Sequence, residues 1–207
     1  MNLKIKPRAK CLAIVAHPDD ETIWMGGLIL KNKKADWTIF SLCRASDADR
    51  APKFKKVCQH YGAKAIMTDL DDEGILTISE SVPIIKKLIT DKIQNKKFDF
   101  LFTHNKNGEY GHARHKGVFM AVSGLMAEGL LKVENIFSFN YKKNNRNKFL
   151  SLAEKEDSDI ILNLSKNVFL KKKKIMTDIY GFTPDGIDVG YCTNPEAYKK
   201  FKIQKSK

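Results

Sequence analysis

Lys10-Cys11-Leu12-Ala13-Ile14-Val15-Ala16 runs directly into His17-Pro18-Asp19-Asp20-Glu21, and then into Thr22-Ile23-Trp24-Met25-Gly26-Gly27-Leu28-Ile29-Leu30-Lys31. The first stretch is short, apolar and stopped by a histidine and a proline, which is how a strand buried on both faces reads. The last stretch spaces Ile23, Leu28 and Leu30 as a helix would, so a helix is expected over Glu21 to Lys31. Asp19 or Asp20 is placed to cap it. A buried strand feeding a helix through a polar turn is the unit of a parallel sheet.

The alternation continues downstream. Trp37 to Cys43 reads as a second strand, Pro52 to Tyr61 as a helix ending near Gly62, and Lys64 to Thr68 as a short third strand. Ser81 to Gln94 is expected to be helical, with Pro83 in the tolerated first turn. Phe98 to Thr103 is a fourth apolar run, followed by a polar, glycine-bearing loop from His104 to Gly111 and a helix over about His115 to Gly129. Strands recur at Ile136 to Asn140 and Asp159 to Leu164, a lysine-rich helix is expected over about Lys166 to Tyr180, and the tail from Gly181 reads as irregular. This pattern predicts an α/β fold in three layers, a mostly parallel sheet with right-handed crossovers and helices on both faces. The 207 residues show no internal repeat and no linker, so one domain over 1–207 is expected. Ligands of such sheets bind beyond the carboxyl ends of the strands, and His17 and His104 both stand where strands end.

Composition narrows the setting. The chain is 43% hydrophobic and 29% charged, as soluble globular proteins are. No apolar run approaches the ~18 residues of a membrane span. The basic stretch Met1 to Lys10 leads to no small-residue cleavage site, so no export signal is read. Cys11, Cys43, Cys58 and Cys192 are scattered without a Cys-x-x-Cys pair, which fits a reducing compartment and a cytoplasmic location. Cys11 and Cys43 read as buried inert thiols. A net charge of +13 raises nucleic-acid binding as a function. Only Arg8, Arg44, Arg50, Arg114 and Arg146 carry the fork geometry suited to phosphates and base edges, however. The lysines are spread along the chain, and the densest run, Lys171 to Lys174, reads as a solvated helix face. No specific nucleic-acid partner is expected.

Two constellations carry chemistry. In His17-Pro18-Asp19-Asp20-Glu21 three carboxylates and an imidazole crowd the end of a strand, where burial without partners would be costly. His17 and Asp20 are three apart across a turn stiffened by Pro18, so both can face one point, with Asp19 near it. The second block, Asn107-Gly108-Glu109-Tyr110-Gly111-His112-Ala113-Arg114-His115, sets two histidines three apart at a helix start. Acids at a helix N-terminus are commonly only decoration, but three histidines with acids at two strand ends form a metal-site pattern. Two histidines and one carboxylate leave positions for water and substrate, as catalytic zinc requires, and ferrous iron suits the same ligands. Lowering the pKa of water from 15.7 to about 7 makes hydroxide cheaper by roughly 12 kcal/mol.

Ala16-His17-Pro18-Asp19-Asp20-Glu21 followed by Gly108-Glu109-Tyr110-Gly111-His112-Ala113-Arg114-His115 resembles the PIG-L/LmbE-like N-acetylglucosaminyl deacetylases. The likeness runs from Cys11 to about Tyr198 and includes Arg44-Ala45-Ser46-Asp47, Thr103-His104-Asn105 and Asn194-Pro195-Glu196-Ala197-Tyr198. It implies a Rossmann-like fold and a catalytic zinc held by His17, Asp20 and His115. It further implies Asp19 as general base, His112 as the group that polarises the carbonyl or steadies the oxyanion, and Tyr110 as its assistant. Arg50 matches an arginine that contacts substrate in some members, and Asp72 lies near the place of a sugar-binding acid. One departure stands out: the usual His-Pro-Asp-His is His112-Ala113-Arg114-His115 here, so a cation replaces an acid. Arg114 either favours an anionic substrate or is solvated.

The reaction expected is hydrolysis of the N-acetyl amide of a small amino-sugar conjugate, with Zn2+ as cofactor and Fe2+ as the other candidate metal. Its nearest rival is a zinc hydrolase of another N-acyl or ester substrate. A non-haem iron oxygenase would share the ligands but is generally built on an all-β barrel, and a non-catalytic binding protein would have no use for the intact ligand set. Residues 141–149 and the C-terminal tail are candidates for a contact with a second subunit, so a homo-oligomer is compatible with the chain. His60 reads as structural, and His104 as near the cleft without binding metal.

Overall fold

The computed structural model describes residues 3–94, 97–143, 151–153 and 156–201. Strand β1 (Lys10–Val15) leads to α1 (Asp20–Lys31), β2 (Asp36–Ser41), α2 (Arg50–Tyr61), β3 (Lys64–Met67), α3 (Ile78–Lys92), β4 (Lys97–Thr103) and α4 (Ala113–Ala127). Then come β5 (Lys132–Phe139), a small hairpin of β6 (Tyr141–Lys143) and β7 (Ser151–Ala153), β8 (Ile160–Leu162), α5 (Lys166–Lys174), α6 (Ile187–Gly190) and β9 (Glu196–Lys200). Seven strands form one sheet in the order β3-β2-β1-β4-β5-β9-β8. The first five are mutually parallel, and β9 runs antiparallel to both β5 and β8. The fold is the expected α/β, Rossmann-like one with a mostly parallel sheet.

Alternation along β1 explains the layers. Cys11, Ala13 and Val15 point to one face, where Ile23, Trp24 and Leu28 of α1 and Phe54, Val57 and Tyr61 of α2 pack. Leu12, Ile14 and Ala16 point to the other, against Ile85 and Ile89 of α3 and Val118, Ala121 and Val122 of α4. All six side chains are fully buried. Leu12, Ile14 and Val15 each contribute about 1.5–3 kcal/mol by leaving water, so β1 holds both layers. Strand order reverses between β1 and β4, and the crevice beyond their carboxyl ends is where this topology places a ligand.

Several expectations are corrected. The tail from Gly181 is not irregular: Glu196–Lys200 is β9, lying inside the sheet. Its order depends on Glu196, whose buried carboxylate accepts the N–H groups of Gly27 (2.7 Å) and Leu28 (2.9 Å) and pairs with Lys172 at 2.8 Å. Lys172 is therefore wholly buried rather than part of a solvated face. A Cβ at residue 27 would lie 3.0 Å from Glu196 Oε1, so this approach needs Gly27. The helix expected over Lys166 to Tyr180 ends at Lys174 and widens into a π-helical turn over Ile175–Ile179. Helix α3 begins three residues before Ser81, because Thr77 and Glu80 form a reciprocal capping box, and Pro83 lies beyond the first turn.

Cys11, Cys43, Cys58 and Cys192 are free and buried, and burial pushes the Cys11 thiol up to about 12. Among the described residues no helix is long and apolar enough to cross a membrane. The segment proposed for a subunit contact, 141–149, falls mostly outside the described residues.

Candidate active site

The turn after β1 is shaped by its own acids. The Asp20 carboxylate reaches back to accept the His17 N–H (2.8 Å), while the carbonyl of Asp19 accepts the N–H groups of Thr22 and Ile23 and starts α1. Asp19 thus caps the helix with its backbone, and its side chain is released from capping. The cost is a φ of +118°, a region that non-glycine residues rarely occupy and that collects at functional sites. The buried Glu21 accepts the Asp19 N–H at 3.1 Å and steadies the turn.

Across the crevice α4 begins at Ala113, two residues earlier than expected, and His112 is its N-cap. His112 Nδ1 accepts the Arg114 N–H at 3.3 Å, so in the neutral ring the proton lies on Nε2. Burial, together with the neighbouring imidazoles of His115 and His17, pushes His112 down to about 3, so the ring is neutral. One helical turn on, His115 is buried and stacks against His112 with centroids 4.5 Å apart.

Three donor groups converge. His17 Nδ1 is 3.2 Å from Asp20 Oδ2 and 3.3 Å from His115 Nε2, and His115 Nε2 is 3.5 Å from Asp20 Oδ1. A tetrahedral ion with bonds of about 2.0–2.2 Å separates its ligand atoms by roughly 3.3–3.6 Å, which is close to these separations, although Asp20 turns Oδ2 to His17 and Oδ1 to His115. The outer nitrogens are held as ligand histidines require: His17 Nε2 by Asp72 Oδ1 (2.7 Å) and His115 Nδ1 by Glu109 Oε2 (2.6 Å). Burial opposes a charge on His17, but the hydrogen-bonded carboxylates of Asp20 and Asp72 prevail and push it up to about 10. These acids demand a cation, and a proton meets the demand when no ion does. The donor atoms of His17, His112 and His115 also lie within 4.8 Å of one another, as do those of Asp20, His104 and His115.

Around these donors lies a cleft of about 350 Å³ lined by Asp19, Arg44, Arg50, Asp72, Tyr110, His112, Asp188 and Tyr191 among others. Burial and the adjacent Asp20 charge hold the Asp19 carboxyl well above its usual range. Arg50 Nη1 approaches Asp19 Oδ2 at 3.4 Å, and its guanidinium lies 4.4 Å from the Phe182 ring centroid. Tyr110 stacks on Tyr191, centroids 4.8 Å apart, and stands 5.6 Å from His115 and 5.8 Å from His112. Asp72 has both oxygens engaged, Oδ1 by His17 and Oδ2 by Arg44 (2.8 Å), and burial notwithstanding these partners pull its carboxyl down to about 2. A second hollow, about 460 Å³ and bordered by Leu30, His60, Val168 and Ile175, lies away from these groups.

The solvated reading of Arg114 is overturned. It is buried, donates to Leu76 O at 2.8 Å and pairs with Asp71. The guanidinium is turned from solvent and ties the start of α4 to the loop that carries Asp72. Four further residues shape the site without having been singled out by the sequence for these roles. Arg44 holds Asp72, Tyr191 stacks on Tyr110, His104 stacks 3.8 Å from His115, and Glu109 grips both of those rings.

Residues 12–126 match the family described as PIG-L, GlcNAc-PI de-N-acetylase. The protein L374 of Acanthamoeba polyphaga mimivirus is 24% identical over 166 residues, 72% of this chain and 69% of its own. The N,N'-diacetylchitobiose deacetylase from Pyrococcus horikoshii is similar with a TM-score of 0.61 at 15% identity, over 93% of this chain and 84% of that one. The 4-carboxy-2-hydroxymuconate hydratase from Pseudomonas putida KT2440 is similar with a TM-score of 0.63 at 12% identity, over 96% and 98%. A deacetylase and a hydratase share this fold, so the fold alone does not choose a reaction.

Proposed function

Because this chain belongs to the PIG-L family of GlcNAc-PI de-N-acetylases, we propose that it is a zinc-dependent hydrolase that removes the N-acetyl group from an N-acetylglucosamine-type conjugate. The observation that carries this reading is the approach of His17 Nδ1, the Asp20 carboxylate and His115 Nε2 to within 3.2–3.5 Å of one another beside Asp19. The family description and the chitobiose deacetylase supply the N-acetyl sugar as the substrate class.

His17, Asp20 and His115 would hold the ion, which supplies a Lewis acid and lowers the pKa of water. Asp19 takes the proton of the attacking water. Burial and the adjacent Asp20 charge raise its proton affinity, which suits a group that must accept a proton and give it up again. His112, neutral and protonated on Nε2, donates to the oxygen that gains charge as the carbonyl is attacked. Tyr110 offers a second donor from the facing wall. The proton held by Asp19 passes to the departing nitrogen and the second proton of the water follows it, so that water and amide become acetate and a protonated amine. Arg50 meets the substrate at the cleft wall. Asp72 reaches the cleft as well, but its two hydrogen bonds make the positioning of His17 its main work.

Acetate release from a panel of N-acetylglucosamine conjugates, before and after chelation and with zinc restored, tests this. Metal-dependent release that vanishes in Asp19→Ala and His115→Ala is the expected result. Absence of release from every conjugate, with zinc bound at the site, would sink the amino-sugar reading and favour an amide or ester on another carrier.

A further inference from the structure

The loop between β4 and α4 holds an acid unusual in both backbone and side chain. Glu109 has a φ of +57°, the left-handed region where glycine sits without strain. Its side chain is nonetheless buried, and a buried carboxylate has to be paired. Oε1 accepts the Asn105 N–H at 2.8 Å. Oε2 is shared by two rings, His115 Nδ1 at 2.6 Å and His104 Nδ1 at 2.9 Å.

The proton positions follow from the far side of His104. Its Nε2 accepts the Ala16 N–H at 3.0 Å and lies 3.4 Å from Asp20 Oδ2, so Nδ1 is the nitrogen that carries a proton toward Glu109. His115 donates to the same oxygen, which leaves the Nε2 lone pair of His115 turned toward His17 and Asp20. The bond to Ala16 also ties this assembly to the end of β1, one residue before His17. His104 therefore braces the site from behind, and its own lone pair is already in use.

We infer that Glu109, braced by His104, is the positioning residue that fixes the Nδ1–H tautomer and orientation of His115 and thereby sets the affinity of the site for a divalent cation. This rests on His115 being a ligand, as proposed above, and not on the identity of the reaction. It explains why a carboxylate is kept where the backbone favours glycine.

Zinc titration of the metal-stripped protein against a competing chelator is the test. Losing an outer carboxylate weakens metal affinity by about 10–100-fold, and Glu109→Gln and Glu109→Gly should both fall in that range. Glu109→Gly relieves the left-handed strain, so its metal-free form should melt no lower than Glu109→Gln while binding zinc no better. Wild-type affinity in either folded variant overturns the inference. Nitrogen NMR of the imidazoles in the unsubstituted, metal-free protein gives a second test that needs no variant. Protons on Nδ1 of His104 and His115 are expected, and a proton on Nε2 of His115 overturns the inference. If no conjugate releases acetate yet the variants lose zinc affinity, the reaction assignment falls and this inference stands. If acetate is released and the variants bind zinc normally, the reverse holds.

Discussion

Asp19 and Asp20 are adjacent identical residues given opposite tasks by one turn. Asp20 is held by the His17 N–H and by the Trp24 indole at 2.8 Å, so it is fixed in place. Asp19 gives its carbonyl to α1 and keeps its side chain for the cleft. Asp19→Asn should therefore cost activity about 10²–10⁴-fold, the usual worth of a general base. Zinc affinity should hold, because Asp19 is not among the converging donors. The metal-free variant should melt no lower than the wild type, since asparagine tolerates positive φ better and removes a charge beside Asp20. Turnover, zinc titration and a melting curve on one preparation check all three. The His17–Asp72 pair gives a pH signature in the metal-free protein. His17, raised to about 10, contributes stability that is full below its unfolded pKa near 6.5 and is lost as pH rises through 10. Asp72, lowered to about 2, contributes stability present above about 4 and lost as pH falls through 2. The deficit of Asp72→Asn against wild type should peak between about pH 4 and 6.5 and shrink on both sides. Its size should be on the order of 2 kcal/mol, set by the smaller Asp72 shift because His17 also leans on Asp20. A deficit that stays flat from about pH 2 to pH 10 would refute the pairing.

Elements differ in how openly the chain declares them. β1 reads as an unbroken apolar run, β2 and β4 as largely apolar ones, and the turn acids announce α1, so the half of the fold that holds the donors was legible. β9 was not, because Glu196-Ala197-Tyr198-Lys199-Lys200 has three charged residues in five and no alternation to mark a strand. Its glutamate is satisfied by Lys172, from a helix 24 residues away, by two N–H groups of α1 and by the Tyr198 hydroxyl at 2.8 Å. Glu109 escaped notice although its partners His104 and His115 lie only five and six residues away, because no spacing rule marks a loop acid as their partner. Long-range polar pairing leaves no period in a sequence. The energetic consequence can be measured on Lys172 and Glu196, both wholly buried. Breaking such a pair from one side strands a charge and costs about 3–5 kcal/mol, whereas replacing both partners with apolar groups can be nearly neutral. Urea unfolding of Lys172→Met should show the full loss, and a second substitution at Glu196 to leucine should recover part of it. If the double variant is as unstable as the sum of the two singles, the pair is not coupled and β9 is held by its backbone alone.

At the scale of the whole molecule, the candidate ligands lie on separate pieces of the sheet architecture. His17 and Asp20 belong to the β1–α1 turn on one side of the strand-order reversal, and His115 belongs to α4 on the other. An ion gripped by all three bridges the crevice, and the unfolded chain cannot assemble that donor set. Binding to the native state alone stabilises it by RT ln(1 + [L]/Kd), which is about 2.7 kcal/mol when free ion exceeds Kd a hundredfold. For a chain of 207 residues each kcal/mol moves the melting temperature by about 2–4 °C. Zinc at that excess should therefore raise the melting temperature by about 5–10 °C over the chelated protein. The increment should shrink in Glu109→Gln, because weaker binding leaves the same zinc concentration at a smaller multiple of Kd. It should disappear in His115→Ala, which removes the arm from α4, and survive in Asp19→Asn, which touches no ligand. A wild-type melting curve indifferent to zinc would mean that the three donors do not hold an ion in the native state. The deacetylase reading would then lose its cofactor, and the raised proton affinity of His17 would stand as the whole content of the cluster.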